Sequence, residues 1–307
     1  MENAHEWAKQ QFGKVCLGDK RRTQRAVKMA DQMACEPLGS LPKQMKSWEA
    51  QKGAYRLLDN GDVSHHQLSE PHWRYTQEAA RQAGSVILMV QDFTDLNYTN
   101  HPATQGLGPI SSQAFLHGLW VHNTLAIQPQ ERRVLGLAYQ QVWAREEQTY
   151  KGRESKTARR KRSNRQSLRW GQAVAAIGKP PDGVKWVYVA DREADMFEFF
   201  ENILSMGADF CIRLVQERRL VDWTAGQPAY LLKTVRDVPE MGQRILEIPA
   251  SPGQAARQAQ LAVSWQSVTL RSPRNTPGED KYMTAWAVRT WEKEPPADGD
   301  PIEWLLI

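Results

Sequence analysis

The sequence predicts an α/β protein in three stretches: helices first, then strands alternating with helices, then a β-rich tail. Three observations carry that prediction. Residues 6–83 contain three runs of helical spacing. Two apolar runs, 86–91 and 185–190, have strand length and each stops at an aspartate. From residue 217 onward, strand-like runs alternate with Pro and Gly punctuation and no strong helix. The expected domains are a helical one over 1–84, an α/β core over 85–216 and a β-rich addition over 217–307.

A length of 307 residues suits two domains, or one core with a large insertion. With 41% hydrophobic and 24% charged residues, the chain has the composition of a globular protein. Its net charge of +5 favours a polyanionic partner only where the surplus is concentrated. No apolar run approaches the roughly 18 residues that cross a bilayer, and the N-terminus lacks a basic segment followed by an apolar one. The expectation is a soluble cytoplasmic protein without membrane association. Cys16, Cys35 and Cys211 are scattered and lack CxxC spacing, which argues against a disulfide framework or a thiolate zinc site.

Gly18 and Asp19 read as a break and a cap, after which Ala26, Met29, Ala30 and Met33 follow a helical period. Arg21, Arg22, Arg25 and Lys28 fall on or near the other face. Such a face is either solvated or laid on phosphates, where each neutralised charge releases counterion. A second helix is expected over 43–59, closed by the turn Asn60-Gly61-Asp62, and a third over 64–83. His66 and His72 are six apart and His117 and His122 an odd number apart, so neither pair suits a shared metal.

Residues 86–91 read as a central strand ending at Asp92. Beyond Gly106 and Gly108, residues 118–127 and 134–143 form a hairpin around a polar turn at 128–133. The segment 151–169 carries Arg159, Arg160, Lys161 and Arg162 among nine basic residues against Glu154 alone; it reads as a mobile loop awaiting a polyanion. A helix over 167–177, a turn at 180–183 and a strand to Asp191 follow. Helical spacing over 193–205 makes Asp191 a strand-to-helix junction residue, serving either as helix cap or as ligand. Further strands are expected at 209–215, 244–249, 259–270, 282–290 and 302–307.

Two apolar strands ending in Asp, separated by a hairpin, a basic loop and a helix, describe the carboxylate placement of a ribonuclease H-like core. Two-metal phosphodiester cleavage needs carboxylates that hold divalent ions about 3.5–4 Å apart, and strand ends fix such geometry. Mg²⁺ takes hard oxygen ligands and keeps waters, so a few Asp or Glu residues suffice.

The strings Leu17-Gly18-Asp19-x-Arg21-Arg22-Thr23-x-Arg25, Gly53-Ala54-Tyr55-Arg56-Leu57, Asp92-x-Thr94-x-Leu96-x-Tyr98, Gly118-x-Trp120-Val121-His122, Ser167-x-x-Trp170 and Asp191-Arg192-Glu193-Ala194-Asp195 occur in one order along the chain. With Trp7-Ala8 and Gly136-Leu137, the set resembles bacterial DDE transposases of the IS-four family, the Tn-five-like group. The resemblance covers essentially the whole chain, and the Asp191 to Asp195 string is its most specific part. It implies a ribonuclease H-like core with a β insertion that cuts and rejoins transposon ends with Mg²⁺ or Mn²⁺. It also implies a homodimer, association with the nucleoid, and double-stranded DNA partners, both transposon ends and target. Asp92 and Asp191 would be catalytic acids and metal ligands; the helix with Arg21, Arg22 and Arg25 would bind DNA ends. Trp304 would stack on a flipped base. Arg213 and Arg218, after a strand near the expected site, are candidates to grip phosphate.

The family's third acid is a Glu on a later helix with a Tyr, Arg, Glu, Lys signature. Glu292, Glu294 and Glu303 lie in the β-rich region and do not match it. The expectation is therefore a chain truncated before that helix and before the family's dimerisation helices, with Glu193 or Asp195 as the alternative oxygen donor. Two functional readings follow: a transposase polypeptide that is catalytically incomplete by itself, or a non-catalytic DNA-binding factor that occupies transposon ends. A metal phosphohydrolase unrelated to DNA is disfavoured by the basic loop and the arginine helix.

Overall fold

A computed structural model describes residues 3–84, 86–111, 113, 115–146, 165–224, 227–250, 255–273, 281–296 and 301–307. The chain is mixed α/β. It divides into two units, Met1–Arg145 with Pro180–Lys185, and Glu146–Lys179 with Trp186–Ile307.

In the first unit the helix after Asp19 follows the cap read from the sequence, and a further helix precedes it. α1 spans Ala4–Phe12 and α2 spans Lys20–Cys35, with the Asp19 carboxylate accepting from the Arg21 N–H at 2.8 Å. Gly18 holds φ +75°, a conformation that glycine adopts without a Cβ penalty. The expected helix over 43–59 is two pieces, α3 over Leu41–Gln44 and α4 over Trp48–Leu58. Lys46 turns to φ 48°, and the Ser47 hydroxyl then accepts from the Ala50 N–H at 3.2 Å, so a strong N-cap inside the apolar run restarts the helix. α5 spans His65–Gln82 and opens on a capping box between Ser64 and Gln67. Val15, Leu17, Ala26 and Leu57 form one buried cluster with Phe12, Met29, Val63 and Leu68 against it; Met45, Ala50 and Ala54 form a second.

The strands of this unit are β1 over Val86–Asn97, β2 over Gly108–Pro109, β3 over His117–Gln128 and β4 over Arg133–Trp143. β3 runs antiparallel to β1 on one edge and to β2 and β4 on the other. The β3–β4 hairpin has the expected limits to within one residue. β1 differs: it does not stop at Asp92 but continues to Asn97, in register from Asp92↔Asn123 to Asn97↔Gly118. The apolar pattern fades there because Asp92 and residues 94–97 become exposed, while backbone pairing with β3 persists.

His72 ties three elements of this unit together. Its Nδ1 lies 2.8 Å from Gln11 Oε1 of α1, and its Nε2 accepts the Leu137 N–H of β4 at 3.2 Å. The ring is thus neutral, with Nδ1–H donating, and burial lowers its pKa below the ordinary 6.5. In the unfolded chain this histidine takes up its proton first. Its contribution to stability is therefore full above about pH 6.5 and is lost as pH falls from there toward the lower folded value. His72→Gln, which keeps an acceptor for Leu137, is expected to flatten the pH dependence of the urea midpoint between about pH 7 and about pH 5. An unchanged slope in that variant would remove His72 as its source.

In the second unit, α6 spans Leu168–Ile177, β5 Lys185–Ala190, α7 Phe197–Ser205 and β6 Asp209–Ile212, with β5 and β6 parallel. Trp170 of α6 packs on Phe199 of α7 with ring centroids 5.6 Å apart, and Phe200 stacks on Phe210 at 4.8 Å. Helical spacing over 193–205 conceals a break: Arg192–Ala194 is a 3₁₀ turn and α7 begins only at Phe197, after an extended Met196.

The β-rich stretch contains β7 over Arg219–Thr224, β8 over Gln227–Tyr230, β9 over Gly242–Ile248, β10 over Arg257–Arg271, β11 over Tyr282–Glu292 and β12 over Glu303–Leu306. β7, β8 and the short helix α8 over Leu231–Arg236 went unread in the sequence, being too brief to show a period. β10 is the spine, pairing with β11 on one edge and with β9 and β7 on the other. β12 lies on β11 and also reaches the end of β6, since Ile212 and Ile307 exchange backbone hydrogen bonds of 2.8 and 2.9 Å.

Candidate DNA-binding and carboxylate sites

The three arginines of α2 have different surroundings. Arg21 is 89% exposed in its side chain and pairs with Asp19 at 3.0 Å, and that guanidinium holds the Asp19 carboxyl below the usual carboxylate range. Arg22 is turned inward along the chain: it donates to the Leu17 carbonyl at 3.0 Å and to Asp62 at 3.2 Å, joining the start of α2 to the turn after α4. Arg25 lies across Gly53 of α4. A Cβ on Gly53 would sit 2.4 Å from the Arg25 guanidinium carbon, so only glycine lets the planar group rest there. Of the three, Arg21 is the one presented to solvent, where its partner is the neighbouring Asp19.

Each expected carboxylate is placed within its own unit. Asp92 is exposed in mid-strand, opposite Asn123, whose Oδ1 accepts from Gln140 Nε2 at 2.7 Å. Asp191 is exposed at the carboxyl end of β5 and does cap the turn after it, its Oδ1 accepting the Glu193 N–H at 2.9 Å. Arg213 follows β6 and donates its backbone N–H to the Ala190 carbonyl at 3.2 Å. Burial lowers the pKa of the Arg213 guanidinium and the Arg192 charge lowers it further, while Asp191 acts in the opposite sense. The turn thus gathers Asp191, Arg192 and Arg213. Arg192 was not singled out in the sequence; its position next to Asp191 was the available signal.

Asp195 and Arg218 are engaged inside the fold. Asp195 is fully buried, and its Oδ2 accepts the N–H groups of Val215 and Gln216, both at 2.7 Å. Arg218, 8% exposed in its side chain, pairs with the same carboxylate and donates to the Asp195 carbonyl at 2.8 Å. Its commitment to Asp195 corrects the expectation that it grips phosphate, and the same bonds remove Asp195 as a spare metal ligand. Trp304 is half-buried on β12, opposite Thr290 of β11. Arg159, Arg160, Lys161 and Arg162 lie outside the described residues.

Exposed carboxylates offer hard oxygen donors of the kind Mg²⁺ and Mn²⁺ prefer, and a carboxylate that accepts one N–H retains lone pairs for a cation. Among the described residues no group of three or more His, Cys, Asp or Glu is placed to hold a metal ion. Among them also, no helix is long and apolar enough to cross a membrane.

Comparison with known proteins bears on the helical segment. Residues 4–63 match the family model of transposase DNA-binding segments, which spans α1 to the turn after α4. This match supports a transposase-like role in binding DNA. Among solved structures, the cryo-EM structure of the piggyBac transposase synaptic complex with hairpin DNA is similar at a TM-score of 0.35 and 9% identity, over 92% of this chain and 58% of that one. The chain thus spans little more than half the length of that transposase.

Proposed function

We propose that this chain is a transposase polypeptide of the IS-four type, acting in cut-and-paste DNA transposition. The observation that carries the reading is the DNA-binding family match over residues 4–63, on a helix whose Arg21 faces solvent. In this reading α2 meets transposon ends and the basic block 159–162 follows the phosphate backbone, with Arg213 gripping phosphate and Trp304 stacking on a base. Asp92 and Asp191 would hold Mg²⁺ or Mn²⁺ in a ribonuclease H-like core. The ion would supply electrostatic stabilisation of phosphodiester cleavage and strand transfer. Working as a homodimer on two DNA ends is part of the same proposal.

A second reading is a non-catalytic factor that occupies transposon ends; it is favoured by the family match at residues 4–63, which is to transposase DNA-binding segments. Selecting duplexes from a random pool with the full chain, then testing the winners with Mg²⁺ or Mn²⁺, separates the two. Cleavage that Asp92→Asn and Asp191→Asn each abolish, by the chain alone or once a segment bearing the family's third acid is supplied, supports the transposase, whereas occupancy without cleavage under any metal and with that segment supports the factor. Affinity for the selected duplex is expected to fall linearly on a log–log plot against salt. Arg21→Ala should lower that slope by about 0.9, as for one lost phosphate contact, and leave the melting temperature unchanged. Arg22→Ala should instead lower the melting temperature, because it unties Leu17 and Asp62. Binding insensitive to salt would defeat both DNA readings.

A further inference from the structure

We infer that Asp195 is a positioning residue for Asp191, acting through a clamp with Arg218; the inference rests on the reading of Asp191 as a metal ligand. The turn that carries Asp191 leaves β5 at Ala190 and ends at Asp195. Its first end is fixed by the sheet, since Ala190 is paired with Ile212 of β6 and accepts the Arg213 N–H at 3.2 Å. At the other end Asp195 does the fixing. Its carboxylate takes two successive N–H groups, Val215 and Gln216, and the Arg218 guanidinium binds both that carboxylate and the Asp195 carbonyl.

The chain leaving β6 is thereby bolted to the chain leaving β5 at two points, Arg213 on Ala190 and Val215–Gln216 on Asp195, and the turn residues Asp191 to Ala194 lie between them. Between its fixed ends the turn is a single 3₁₀ loop whose backbone bonds are long, Ala194 N–H to the Asp191 carbonyl at 3.3 Å and Asp195 N–H to the Arg192 carbonyl at 3.2 Å, beside the 2.9 Å cap of Glu193 by the Asp191 side chain. Such a turn keeps its shape only if its far end is held. Burial makes the hold firm: Asp195 is fully buried, Ala194 is fully buried, and the Arg218 guanidinium lies 5.5 Å from the centre of the Phe200 ring. A carboxylate is the group that suits this place, because one oxygen can accept two N–H groups while the other faces a cation.

The test uses the full chain and Fe²⁺ as probe, with ascorbate and peroxide, so that a bound ion cuts the backbone beside its ligands. Wild type should be cut next to residue 191, and Asp191→Asn should not. In the double variant Asp195→Asn with Arg218→Met, both buried charges are gone, so no lone ion destabilises the fold. There the Fe²⁺ concentration for half-maximal cutting should rise about 10- to 100-fold, as when a group that orients a metal ligand is lost. Arg218→Lys, which keeps the charge, should recover most of the wild-type value. A merely structural role would shift the melting temperature and leave half-saturation of the folded protein unchanged; that result overturns the inference while the metal reading stands. If wild type is not cut near residue 191, or Asp191→Asn is cut equally, the metal reading fails and the inference with it.

Discussion

Asp195→Ala is expected to lower the unfolding free energy by about 3–5 kcal/mol, the loss typical when one partner of a buried ion pair is removed. The size follows from what remains behind. Arg218 keeps a full charge in a position 8% exposed, and the Val215 and Gln216 N–H groups lose their acceptor. Urea denaturation followed by tryptophan fluorescence measures it. A contrast is available in the Lys281–Glu201 pair, 2.8 Å apart on the surface, where Lys281→Ala should cost at most about 1 kcal/mol. Equal losses at the two sites would show that the Asp195 clamp is solvated in solution.

Phe200→Ala should cost about 3–5 kcal/mol through lost apolar burial and the cavity left behind. Phe200 is fully buried, stacks on Phe210 with the rings 12° from parallel, and has the Arg218 guanidinium near its face. Leu204 on the same helix is 43% exposed, and Leu204→Ala should cost far less. Because Arg218 touches both Phe200 and Asp195, the two alanine substitutions should not add. Their coupling in a double-mutant cycle is expected to be about 0.5–3 kcal/mol, and strict additivity would mean that Arg218 does not link them.

Much of the fold is legible in the sequence. Asp19, Ser64 and the strand over 185–190 state their roles locally, through a side-chain cap or an apolar run, and each element begins where its residues require. The hairpin at 118–143 was equally plain, because its turn is polar and both arms are β-rich. The misreadings share one cause, which is that apolar period does not report where hydrogen bonding stops. β1 continues through an exposed segment because β3 supplies partners, and helical spacing runs unbroken across Ser47 and across Asp195, where the backbone turns out of the helix.

By itself the sequence determined most of the order of elements, the Asp19 cap and the residues with charge or carboxylate chemistry: Arg21, Arg22 and Arg25 on one helix, Asp92 on one strand and Asp191 at the end of another. Tertiary structure alone decided which of these groups remain available. Charge is written in the residue, but its partner is chosen by folding, so Arg21 faces solvent, Arg22 serves Leu17 and Asp62, and Arg218 serves Asp195. The same physics separates Asp191 from Asp195 four residues later: one lies at the exposed end of a strand, the other where burial and three donors fix its charge in place.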